Sequence, residues 1–324
     1  MSVAGVSSTA SSSSALANGL ALQVSAPLSS ASVTPVSLSA REFSNGSKLV
    51  MQLGIANVNV ADNAANVVRV GSKLSSTQQV TVTDTAAHLQ SSWQSLVTLA
   101  NLGKLDAVVL SEGAQQLTLK AAQFVTGENL RALLGQDVSV SVSDSAANLA
   151  SMVLPSNTAP AQVILKDTAS NVMRQWDRLS TMAKVGGLNS VTMTDRKPSF
   201  TLSAAQFANS ADLRAQLQNA TFIVKDTAAN LAAQADALQG VSIQLVDTVQ
   251  GANDQAALLA DLSQSGHLKS IKLSGAGTLT LTAAQASTMG GLVSVNFQVK
   301  DTAANIQSNF NTLSGLKRLT QVNL

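Results

Sequence analysis

The sequence predicts an α/β repeat protein: a solenoid of stacked strand–helix and hairpin–helix units, three units long, with about 80 residues per unit. Three observations predict it. A D-x-A-x-[NH]-[LIV] motif recurs at Asp62, Asp84, Asp144, Asp167, Asp226 and Asp301, with a decayed copy at Asp247. Residues before each Asp alternate with period two, and residues after it carry a helical stripe. Two further motifs recur between the Asp copies in constant order.

The spacing sets the period. Intervals between successive Asp residues alternate between short (22, 23, 21) and long (60, 59, 54), so the true repeat is their sum. Asp62 to Asp144 is 82 residues, Asp144 to Asp226 is 82, and Asp226 to Asp301 is 75. The accompanying motifs are L-D-A-V-V-L, L-N-S-V-T-M and L-K-S-I-K-L, then L-T-L-K-A-A-Q-F, F-T-L-S-A-A-Q-F and L-T-L-T-A-A-Q-A. The predicted organisation is a disordered Ser-rich leader over 1–50 and a solenoid over 51–324. Its units span about 58–137, 138–220 and 221–294, with a partial unit at 295–324.

Each element has a local reason. Val80-Thr81-Val82, Val138-Ser139-Val140-Ser141-Val142, Phe222-Ile223-Val224 and Val295-Asn296-Phe297-Gln298-Val299 alternate like half-buried strands. Leu89, Trp93 and Leu96 then fall at i, i+4 and i+7. So do Val172, Trp176, Leu179; Leu231, Ala235, Leu238; and Ile306, Phe310, Leu313. The shared stripe position marks Trp93 and Trp176 as core residues. The L-x-[AS]-[VI]-x-[LM] and T-L-x-A-A-Q pieces read as two short strands. Their connectors are Ser111-Glu112-Gly113, Lys197-Pro198 and Gly275-Ala276-Gly277, a hairpin-like spacing. A-A-Q-F opens a second helix, and Pro155 and Pro160 shorten the helix after Asp144.

The candidate site residues are the repeat's own polar positions. An Asp where strand turns into helix accepts N–H bonds from the first turn and complements the helix dipole, a cap worth about 1 kcal/mol. Asp62, Asp84, Asp144, Asp167, Asp226, Asp247 and Asp301 are therefore read as structural caps. The rival is a calcium ladder. Calcium takes about six to eight oxygens, whereas each turn here offers one Asp followed by small residues, and G-G-x-G-x-D never occurs. Asn66, Asn148, Asn171, Asn230 and Asn305, four residues after their Asp, are read as an amide ladder bonding the backbone of the next turn, or else as exposed polar residues. His88 takes that position in one copy.

Composition narrows the function classes. The 324 residues are 45% hydrophobic and 3% aromatic, with no Tyr, which suits thin layers of Ala, Val, Leu and Ile. Charged residues are 12%, about half the usual share. A net charge of +2 without a Lys/Arg run lacks the footprint of a nucleic-acid binder. The absence of Cys removes disulfides, zinc–thiolate sites and Cys nucleophiles. No run of 18 apolar residues exists, so no transmembrane segment is expected. The leader has no charge before Arg41 and holds the run Ser11-Ser12-Ser13-Ser14. It lacks the basic and apolar regions of a cleaved secretory signal, so it reads as an uncleaved export signal of the type III kind or as a plain tail.

The DTAAN-type copies, with L-K-S-I-K-L and L-T-L-T-A-A-Q between them, resemble a repeat of large bacterial secreted and cell-surface proteins. They are also similar to repeats of HrpF/NolX-type translocon proteins. The resemblance covers about residues 55–324 and implies a secreted or surface-exposed bacterial interaction protein. The calcium nonapeptides and hydrophobic C-terminal region of such relatives are missing here, so pore formation does not follow. The two His residues, His88 and His267, lie in different copies, and no G-x-S-x-G, P-loop or H-E-x-x-H occurs. The expectation is a non-enzymatic, adhesin-like scaffold without a cofactor that binds a protein or cell-surface partner. The alternative is a type III secreted effector or translocon-associated protein. The final strand pattern, Leu319–Leu324, carries no polar cap, which points to docking, self-association or a longer chain.

Overall fold

The computed structural model describes residues 35–52, 58–111, 116–153 and 159–324. Among them every ladder between strands is parallel. The first sheet orders β1 (Val36–Leu38), β2 (Val58–Asp62), β3 (Gln79–Asp84) and β4 (Ala107–Leu110). The second orders β5 (Gln116–Leu119), β6 (Ser139–Asp144), β7 (Gln162–Asp167) and β8 (Ser190–Met193). The third orders β9 (Ser199–Leu202), β10 (Thr221–Asp226), β11 (Ser242–Thr248) and β12 (Leu268–Ser274). The fourth holds β13 (Leu279–Leu281), β14 (Phe297–Lys300) and β15 (Leu319–Asn323). The chain is an α/β protein of repeated strand–helix units.

Consecutive parallel neighbours need a crossover, and a helical segment supplies each one within a sheet. Ala86–Asn101 joins β3 to β4, for example, and the six-residue Ala146–Ser151 starts the link from β6 to β7. Strand alternation sends one set of side chains toward the helices. In β3, Val80 and Val82 are fully buried, while Gln79, Thr81 and Thr83 point the other way. The inward residues of all four sheets and the helical stripes form one continuous apolar cluster from Ala40 to Leu313. Leu89, Trp93 and Leu96 belong to it, as do Val172, Trp176 and Leu179. Phe310, at the matching stripe position, does not: it is 63% exposed.

Two expectations are corrected. The paired short strands are not hairpins. β4 pairs with β3, β5 pairs with β6, and β4 and β5 lie in different sheets. β4 ends one sheet and β5 begins the next, and β8/β9 and β12/β13 divide in the same way. Gly275 (φ 86°) and Gly277 (φ 122°) let the β12–β13 connector turn in a backbone region closed to most side chains. Glu112, Gly113 and Pro155 lie outside the described residues.

The second correction concerns the leader span 1–50. β1 and the helix Ala40–Gln52 fall largely inside it, β1 pairs with β2, and Ala40 and Phe43 are buried. Val36-Ser37-Leu38-Ser39-Ala40-Arg41-Glu42-Phe43 is a divergent copy of the T-L-x-A-A-Q-F segment. Each sheet thus begins on a strand ending apolar-x-Leu (β1, β5, β9, β13) rather than at residues 58, 138, 221 and 295. The leader's residues 1–34 lie outside the described residues.

Candidate functional site

The repeated Asp residues are organised by a stagger. Asp62 is level with Val82 in the β2–β3 ladder, which leaves Asp84 two residues further along, beside Ala64. The same offset sets Asp144 beside Ala121, because Leu119 is level with Val142. Each carboxylate therefore reaches back to the previous repeat. Oδ2 of Asp84 accepts the Ala64 N–H at 3.0 Å, Asp144 that of Ala121 at 3.0 Å, and Asp167 that of Ala146 at 2.9 Å. Asp62, Asp226, Asp247 and Asp301 accept from Ala40, Ala204, Ala228 and Ala283. Asp195, outside the motif, accepts from Ala169. At Ala64, Ala146, Ala204, Ala228 and Ala283 the recurrent Ala is fully buried, where a larger side chain would have to displace packed neighbours.

Oδ1 works within its own repeat. In Asp167 it accepts the Thr168 N–H at 2.8 Å and the Asn171 amide at 2.7 Å. Asn66, Asn148, Asn230 and Asn305 donate likewise to Asp62, Asp144, Asp226 and Asp301. Two assignments change. The N-cap is the residue after the Asp (Asn63, Thr85, Ser145, Thr168, Thr227, Thr248, Thr302), whose side-chain oxygen accepts an N–H three residues on. The Asp lies one residue too early to cap and instead links repeats. The Asn residues do not form a ladder to the next turn, because the nearer Asp takes their amide. His88 substitutes directly, its Nδ1 2.7 Å from Asp84 Oδ1. At Asp247 the fourth following residue is Gly251, where a Cβ would sit 2.6 Å from the carboxylate.

The first strand of each sheet needs a different solution, because Leu38, Leu119, Leu202 and Leu281 replace the Asp. Gln206 supplies it: its Oε1 accepts the Ser203 N–H while Ser203 Oγ accepts the Gln206 N–H. This reciprocal capping box recurs at Thr282/Gln285, and Gln123 likewise accepts the Lys120 N–H. At the first copy Glu42 accepts the Ser39 N–H at 2.8 Å. The role of these Gln residues was readable from S/T-x-x-Q, and the first copy from the 81 residues separating Phe43 and Phe124.

Burial alone would raise the carboxyl pKa of Asp84, Asp144 and Asp167. Their hydrogen bonds outweigh it, with the side-chain donors His88, Asn148 and Asn171 foremost, and hold all three below the ordinary carboxylate value. Asp301 is lowered chiefly by the Asn305 amide and then by the N–H groups of Ala283 and Thr302. A cation at Asp167 would have to displace three donors. Among the described residues no group of three His, Cys, Asp or Glu side chains converges to hold a metal. His267 is separate from His88, its Nε2 accepting the Gly240 N–H at 3.3 Å.

What the repeats present outward is the sheet face opposite the helices. It is built from Thr81 and Thr83 on β3, Thr118 on β5, Ser139 on β6, Gln162 and Lys166 on β7, and their counterparts further along. One seam between sheets is open. β4 and β12 each form a parallel bridge with the chain that follows, Val108 with Leu134 and Ile271 with Val293. At β8 a cleft of about 550 Å³ lies instead between Ser190–Met193 and Ala215–Asn219. Gln216 spans it: its Nε2 donates to the Leu188 carbonyl, and its buried Oε1 finds no partner. No family model, curated protein or solved structure matches the chain.

Proposed function

We propose that the chain is a non-enzymatic bacterial repeat scaffold, secreted or surface-exposed, that binds its partner through the open face of its parallel sheets. In this reading the four sheets stack as a continuous solenoid of units of about 80 residues. The observation that carries the reading is the division of labour along each strand. Inward residues and the strand-end Asp are consumed by packing and repeat-to-repeat bonding, while the outward row is Ser, Thr, Gln and Lys, partly bonded among themselves (Gln116 to the buried Ser141, Gln298 to Thr280), with its lysines exposed. Flat repeated faces of this kind offer extended contact rather than an enclosed reaction site. The resemblance of the DTAAN-type repeats to those of bacterial secreted and surface proteins is what suggests the placement.

A second reading, a type III secreted effector or translocon-associated protein, is favoured by one feature: the first forty residues contain no charged side chain. Localisation tests both. A C-terminally tagged full chain is compared with one lacking residues 2–34, which leaves β1 intact. Recovery of the full chain in the medium or on the cell surface supports export, and dependence on a type III system with retention of the truncation favours the second reading. Retention of both forms in the cytoplasm contradicts both.

A further inference from the structure

The charge on the strands is one-sided. Among the described strands the only carboxylates are the strand-end Asp residues, which share the inward parity of the core and are bonded to backbone N–H groups. The only cations are lysines: Lys166, Lys225, Lys269, Lys272 and Lys300, all exposed. Lys166, Lys225, Lys272 and Lys300 occupy outward positions, since Leu165, Val224, Ile271 and Val299 beside them are buried. Lys269 sits at the register shift between β11 and β12. Lys225 and Lys272 are two strands apart, about 9–10 Å across the sheet. On β11 between them the outward residues are Gln244, level with Lys225 and Ser270, and the exposed Val246, level with Lys272, and no described strand places a carboxylate on this outward row.

We propose that this face binds a linear anionic polysaccharide, with lysines meeting its carboxylate or sulfate groups and the Ser, Thr and Gln side chains its hydroxyls. The proposal rests on the scaffold reading and names its ligand class. Charge complementarity selects a polyanion. The side-chain types select a glycan over nucleic acid. No described strand carries an Arg, and the aromatic side chains on the strands, Phe200, Phe222 and Phe297, belong to or pack against the core, so no ring is offered for base stacking. Recognition without rings also predicts that neutral glycans are ignored.

The test uses the purified full chain and calorimetric titration at low and physiological salt. The probes are polygalacturonate, dextran sulfate, neutral dextran, single-stranded DNA and anionic phospholipid vesicles. Two variants remove equal charge: Lys166, Lys225, Lys272 and Lys300 to Gln on the open face, and Lys48, Arg69, Arg174 and Lys184 to Gln on the helices. At least one anionic glycan is expected to bind, polygalacturonate indicating carboxylate and dextran sulfate indicating sulfate preference. The sheet-face variant should bind at least about tenfold more weakly, while the helix variant stays near the parent. Absence of glycan binding at low salt, equal losses in both variants, or DNA or vesicles binding as tightly as the glycans would overturn the proposal. An exported protein that ignores polyanions would leave the scaffold reading standing and remove only this ligand.

Discussion

Asp167 accepts the backbone N–H of Ala146, 21 residues earlier and in the preceding repeat, at 2.9 Å. The same carboxylate accepts from Thr168 and Asn171 in its own repeat. One side chain thus satisfies the start of two helices. Its removal leaves buried donors unpaired on both sides of a repeat boundary, which costs more than a simple cap.

Asp167→Ala should therefore lower stability by about 3 kcal/mol, beyond the roughly 1 kcal/mol of an ordinary N-cap loss. Asp301→Ala, in a more exposed repeat, should cost less. Urea titration of both variants checks the ranking, and equal losses would contradict it.

The lowered carboxyls of Asp84, Asp144 and Asp167 give a pH dependence of definite sign. Their contribution is fully present above the ordinary value of 3.8 and is lost as pH falls through their lower folded values. For these groups Tm should hold level from neutrality to about pH 5 and fall below about pH 4. Asp167→Asn should flatten that acid limb.

His88 occupies an Asn position and makes the same contact to Asp84. His88→Asn should be neutral to within about 0.5 kcal/mol, whereas His88→Ala should cost roughly 1 kcal/mol. Thermal melts at neutral pH separate the two.

The two tryptophans report on one substitution between repeats. Trp93 Nε1 donates to the Gln123 carbonyl at 3.0 Å, and a Cβ on Gly127 would lie 2.7 Å from the Trp93 ring. Ser210 stands at the matching place in the next unit, and there Trp176 Nε1 is buried without a partner. Gly127→Ser should destabilise by about 2 kcal/mol and shift Trp93 fluorescence. Ser210→Gly should free Trp176 to reach the Gln206 carbonyl and leave stability unchanged or higher. A strongly destabilised Ser210→Gly would contradict this account.

Much of the architecture was legible in the sequence because its signals are local. The alternation in Val80-Thr81-Val82 and the stripe of Leu89, Trp93 and Leu96 lie within single elements. The link from Asp167 to Ala146 was not legible, because it depends on a two-residue stagger between neighbouring strands that no local pattern records. The step from β4 to β5 was mistaken for a hairpin for the same reason: a short connector between two strands looks alike whether they pair or part. β1 was missed because Glu42 and Arg41 altered the A-A-Q signature next to a Ser-rich stretch. The open cleft at β8 reflects how Leu217 and its neighbours miss a bridge that Leu134 makes, again a long-range property.

The most direct test of the repeat-to-repeat linkage is amide hydrogen exchange in Asp167→Ala, resolved at Ala146 and Thr168. The linkage predicts that Ala146, in the preceding repeat, loses protection together with Thr168, while Ala204 and Thr227, served by Asp226, are unchanged. Loss at Thr168 with Ala146 still protected would show that the carboxylate acts only within its own repeat, and would contradict the account.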